Sequence, residues 1–139
     1  MLRSVGSVVL GLFTLSVLSI VLVGVQDVLL LHFLPSTFRD AKALSNSNAV
    51  LAGGIFLTIL CALLAGWITA RVAGKAEIKH ALVLAVVEEI FTVLLIVTHA
   101  APAPSWAWAC NLTLLPLATV LGGKWRAAQP GSRAATSPA

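Results

Sequence analysis

The chain has 139 residues, of which 59% are hydrophobic and only 10% charged. A soluble globular domain carries roughly a quarter charged residues, so nine basic and five acidic side chains cannot cover a water-facing surface. The net charge of +4 does not indicate a nucleic-acid partner either, because the basic residues flank apolar runs and form no patch on a polar face.

Four apolar spans are predicted, at residues 5–25 with an apolar continuation to 34, then 50–70, 81–98 and 105–121. Each is close to the ~20 residues a helix needs to cross ~30 Å of hydrocarbon. None alternates apolar with polar residues as the strands of a membrane barrel do. The expected fold is therefore all-α: an integral membrane four-helix bundle, antiparallel and up-down, formed by residues 1–126. Residues 127–139, rich in Pro, Gly, Ser and Ala, are expected to be a disordered tail.

The first span begins after Met1-Leu2-Arg3, like a signal peptide. Its apolar run exceeds the 7–15 residues of a signal core and lacks a small-x-small cleavage site, so an uncleaved helix is expected. Helical from 5 to 34, the span would measure about 45 Å. It must either tilt strongly or break, and Gln26-Asp27 is the expected exit, with 28–34 lying along the surface until Pro35 ends the segment.

The polar loop that follows offers Ser45, Asn46, Ser47 and Asn48 as N-caps for span two. In that span Gly54, Thr58, Ala62, Gly66, Ala70 and Gly74 recur at every fourth position. Small residues at this spacing let a neighbouring backbone approach closely, which is how helices associate in lipid. Packing within the chain is the expected use and dimerisation the alternative. Gly74 is also placed to end the helix as a C′ glycine, making spans two and three a hairpin.

Span three contains the least expected residues, Glu88 and Glu89. Glu88 lies nine residues beyond Lys79, about 13 Å into the membrane. A carboxylate at the bilayer centre costs about 3 kcal/mol even on lenient scales. Neighbours on a helix point about 100° apart, so the two carboxyls cannot share one partner. One is expected to face the bundle and the other an adjacent helix or a second subunit. Thr92, one turn above Glu88, can hydrogen-bond it. No Lys or Arg lies at matching depth, which leaves neutral partners such as Thr58, Asn111 and Thr113, or Ser16 and Ser19. Without a counter-charge, at least one of the two acids is expected to carry its proton. A proton path through His80, the two glutamates and His99 would need water across gaps of roughly 12 and 15 Å.

Span four carries Asn111, Thr113, Thr119 and Pro116, the last expected to kink the helix. Cys61 and Cys110 fall at different depths, which argues against a disulfide. No Cys/His spacing suggests a metal site, and no cofactor is expected. The adjacent acids look like the start of the Glu-Glu-x-x-x-Arg motif of CAAX-type intramembrane proteases, but the arginine position falls on Val93 or Leu94.

Ala65-Gly66-Trp67-Ile68-Thr69-Ala70-Arg71-Val72-Ala73-Gly74-Lys75, followed by Lys79-His80-Ala81-Leu82 and by Leu121-Gly122-Gly123-Lys124, resembles a family of small, uncharacterised bacterial four-helix membrane proteins. The resemblance covers residues 50–126. It implies the four-helix architecture and brings no activity.

Lys and Arg placement sets orientation. With the N-terminus cytoplasmic, seven of the nine basic residues (Arg3, Arg71, Lys75, Lys79, Lys124, Arg126 and Arg133) fall inside, and Arg39 and Lys42 outside. Both termini are then cytoplasmic, and Trp67, Trp106, Trp108 and Trp125 fall at the interfaces. The sequence therefore points to a non-enzymatic protein of a bacterial inner membrane. Its role would be structural or accessory, surrounded by lipid and packing against itself or a larger membrane complex. The alternative is a small proton- or cation-coupled transporter or channel using Glu88 or Glu89.

Overall fold

A computed structural model of the chain describes residues 2–34, 37, 44, 47–98 and 103–129. Four long helices follow in order: α1 (Leu2–Phe33), α2 (Asn48–Ala73), α3 (Glu77–Val97) and α4 (Ser105–Ala127). No strand occurs among the described residues. All four helices are long and apolar enough to cross a membrane, as predicted.

Side-chain register shows that helices consecutive in the chain run antiparallel. On α1, Gly11 lies beside Thr69 and Gly53 beside Gln26, so α1 and α2 oppose each other. Helices α2 and α4 run parallel: they cross where Gly66 meets Thr119 and Gly122 meets Leu63, and Thr58 and Asn111, each eight residues earlier, share one cavity. Gly123 sits on Ala81, which fixes α4 against α3. Helix α2 is central: it packs on α4 most extensively, then on α1 and α3. Helix α1 is peripheral. Its outer face leaves Val5, Phe13, Ile20 and Val28 exposed, as suits a surface solvated by lipid. The core lies among Leu15, Cys61, Ala62, Ala65, Leu84, Leu115 and Ala118.

Of the two alternatives for the long first span, tilt or break, the break does not occur. Helix α1 runs unbroken for 32 residues, about 48 Å. No Pro or Gly lies between Val25 and Leu34 to interrupt it. Gln26 finds a partner inside the bundle, donating its Nε2 to the Val50 carbonyl of α2 at 3.0 Å. Gln26 is thus held against the first turn of α2, and α1 continues as helix beyond it. Pro35 lies outside the described residues, and helix α1 stops two residues before it, as a proline disfavours helical backbone in the residue it follows.

The hairpin between α2 and α3 is built as the sequence suggests. Gly74 adopts a left-handed φ of 67° and its N–H bonds Ala70 O at 3.2 Å, the C′ geometry for which glycine is favoured. Ser47 holds the N-cap position of α2 but makes no side-chain capping bond. Helix α3 begins four residues before the predicted span. Its first residue, Glu77, is buried and its Oε1 lies 3.9 Å from Arg126 Nη2 of α4; an acid in a first helical turn is also favoured by the helix dipole. Helix α4 continues past 121 to Ala127, because Gly122 and Gly123 lie at its closest approach to α2 and α3. Of the predicted tail, residues 130–139 lie outside the described residues. Cys61 and Cys110 are free thiols.

The small-residue seam divides among different neighbours. Ala62, Gly66 and Ala70 are buried. A methyl group on Gly66 would overlap the Thr119 carbonyl, so backbone lies on backbone there. Gly54 instead faces Val23 of α1 across 3.8 Å of added-methyl distance. Thr58 turns its hydroxyl back to Gly54 O at 2.9 Å, and Gly74 caps the helix. The reason is geometric. Positions four apart on a helix are rotated by about 40°, so five steps carry the stripe roughly 200° around α2.

Gly66→Ala and Gly122→Ala are expected to destabilise the bundle by about 1–3 kcal/mol each, the usual range for overpacking. Gly24→Ala, where the new methyl meets nothing within 4 Å, is expected to be neutral. Unfolding midpoints in lipid–detergent mixtures with rising dodecyl sulfate check this. Equal midpoints for all three variants would remove the backbone-contact account.

Candidate functional site

Helix α3 positions both acids, and its 100° step per residue separates them. Glu88 points inward and is buried. Its Oε2 accepts a 2.7 Å hydrogen bond from Thr119 Oγ1 of α4, and Thr119 is itself fully buried. Glu88 Oε1 is buried with no partner among the described residues. Around the pair lie Leu84, one turn toward the Glu77 end, and the α2–α4 crossing at Gly66. Glycine at position 66 brings the Thr119 backbone close to α2, and so helps to set the depth of the hydroxyl that meets Glu88.

Thr92 is buried beside Glu88, but its Oγ1 donates to the Glu88 backbone carbonyl at 3.0 Å and not to the carboxyl. A threonine in a helix interior reaches the carbonyl four residues back more easily than a side chain directed elsewhere. Asn111 also differs from expectation. It lies eight residues from Thr119, about 12 Å along α4, and lines a separate cavity with Thr58, Gln26 and Asp27. The apolar residues Cys61, Ala62, Ala65, Leu115 and Ala118 fill the core between. Thr113 is exposed and bonds its own helix at Ala109 O, 2.8 Å away. Asn111, Thr113 and Thr119 therefore serve three different surroundings.

Glu89 faces outward. It lies in a groove of about 650 Å³ between α3 and α4, whose other walls are Leu82, Ala85, Val86, Ile90 and Val93 of α3 and Pro116, Leu117 and Val120 of α4. Every wall residue but Glu89 is apolar. The carboxyl's Oε1 is buried with no hydrogen-bond partner among the described residues.

Toward the end of the bundle carrying the α2–α3 hairpin, the basic residues Arg71, Lys75, Lys79, Lys124 and Arg126 gather. Arg71 stacks over Trp67 at 5.0 Å. His80 directs Nδ1 to Ala76 O at 3.1 Å, a bond at the helix start far from Glu88; His99 lies outside the described residues. Among the described residues, no three His, Cys, Asp or Glu side chains come together to hold a metal ion.

Sequence reasoning did not identify Thr119 as the partner of Glu88. The available signal was the Gly122-Gly123 pair: it marks where α4 comes closest to its neighbours, and Thr119 follows one turn deeper. It also did not find the groove, although Leu82, Val86, Glu89 or Ile90, and Val93 have the spacing of one helix face.

Thr119→Val removes the donor to a buried carboxyl. It is expected to destabilise the fold by about 1–3 kcal/mol, while Thr113→Val, exposed and self-bonded, changes little. The dodecyl sulfate titration distinguishes these outcomes. A lipid-soluble carbodiimide, which reacts with carboxyl groups, is expected to label Glu89 ahead of Glu88 when peptides of the treated protein are weighed. Dominant labelling at Glu88 would reverse the assignment of inner and outer acid.

Compared with known proteins, the chain matches no family model, no curated protein and no solved structure.

Proposed function

We propose that this chain is a non-enzymatic accessory protein of a bacterial inner membrane, with both termini cytoplasmic, that docks onto another membrane helix through the groove between α3 and α4. The docking helix belongs to a second copy or to a larger complex. The observation that carries the reading is Glu89. An acid on an apolar, lipid-facing surface is costly, and a hydrogen-bond donor or cation from a docked helix offsets that cost. Interhelical hydrogen bonds of this kind are worth about 0.6–2 kcal/mol in membranes.

The transport reading rests on Glu88. Against it stands the apolar packing of Cys61, Ala62, Ala65, Leu115 and Ala118, which separates Glu88 from the polar cavity roughly 12 Å away. The cluster of basic residues at the hairpin end supports its placement on the cytoplasmic side.

Native mass measurement after purification in a mild detergent tests the proposal. The wild-type chain and Glu88→Gln are expected to travel as an oligomer or with a stoichiometric membrane partner, and Glu89→Leu as a monomer. A wild-type monomer, together with a pH-driven proton flux into liposomes that Glu88→Gln abolishes, would overturn the proposal in favour of transport.

A further inference from the structure

The cavity that takes Asn111 has a composition unlike the rest of the bundle. It holds about 280 Å³ between α1, α2 and α4, in the half of the molecule away from the basic end. Gln26, Asp27, Thr58 and Asn111 reach it from three helices. Convergent polar groups in an otherwise apolar pocket are the usual make-up of a small-molecule site. Along the helices, Thr58 lies about 15 Å from the start of α2 and Asn111 about 9 Å from the start of α4, whereas Gln26 and Asp27 lie level with the first turns of α2, so the cavity runs inward from that end.

The hydrogen-bonding inventory indicates what would fit. Gln26 spends an amide N–H on Val50 O, which fixes one wall. The Thr58 hydroxyl donates to Gly54 O, leaving its oxygen free to accept. Asp27 is an acceptor, and Asn111 contributes one carbonyl oxygen and an amide. The set therefore offers mainly acceptors, with one negative charge. Among the described residues no cation pairs with Asp27, since the one ion pair is that of Glu77 with Arg126. Val23, Leu44, Val50, Leu51 and Ile55 supply apolar walls. The volume exceeds what a bare metal ion fills at its ligand distances of about 2–2.6 Å.

We propose that this cavity binds a small primary amine with an apolar body, its ammonium group meeting Asp27, Asn111 and Thr58. An ammonium brings three N–H donors to an acceptor-rich cluster, and the apolar body takes the place of lipid or water against the aliphatic walls. The site is independent of the α3–α4 groove and of the docking role.

Calorimetric titration of the full chain in nanodiscs tests this, with phenethylamine as the probe, phenethyl alcohol as its neutral isostere, and protein-free nanodiscs as the blank for partitioning. Phenethylamine is expected to bind at one site per chain and at least tenfold more tightly than the alcohol. Asp27→Asn is expected to lose at least tenfold and Asp27→Glu to retain most of the binding. Asn111→Ala is expected to lose a few-fold, and Glu89→Gln to bind as the wild type does. Equal binding of amine and alcohol, unchanged binding in Asp27→Asn, heat only with sodium ion, or no heat above the blank would each overturn the proposal.

Discussion

The contact between α2 and α4 at Gly66 and Gly122 governs how the rest of the molecule is arranged. In lipid there is no hydrophobic force to draw helices together, so association depends on close packing and on polar contacts. Two glycines, one on each helix, let the backbones touch at Thr119 and Leu63. Gly123 extends the same approach to Ala81 on α3. Three helices are held by this one region, and α1 is added at the side.

That region also sorts the acids. With α3 seated against α4, one carboxyl falls opposite Thr119, and its neighbour is turned by about 100° onto the outer groove. The inner acid has a donor and acts as a register pin between two helices. The outer one has none among the described residues, and the proposed docking of another helix in the groove would supply one. Two identical side chains, adjacent in sequence, thus acquire different roles from the angular step of the helix alone.

Much of this architecture is legible in the sequence, and the reasons are local. Span number follows from apolar length, the α2 terminus from Gly74, and the close approach of α2 from its small residues. What escapes is whatever depends on the rotation of one helix against another. The four-residue stripe on α2 drifts around the helix, so Gly54 and Gly66 meet different partners. Thr92 and Asn111 have suitable chemistry for Glu88, yet Thr92 bonds a backbone carbonyl and Asn111 lines another cavity. A break after Gln26-Asp27 reads as possible because polarity alone cannot reveal that α2 presents the Val50 carbonyl to Gln26 and that α1 stays helical to Phe33. Glu77 reads as loop because its partner, Arg126, is distant in sequence.

The peripheral seat of α1 bears on biogenesis. This helix is translated before every residue that holds it: Val50, Gly53, Thr69 and Leu84 all come later. During that interval α1 stands alone in the bilayer, and Gln26 lacks its Val50 partner. Its lateral docking therefore waits on the synthesis of α2, and a nascent chain stalled before residue 50 would carry an unmet Gln26 amide for quality-control machinery to recognise.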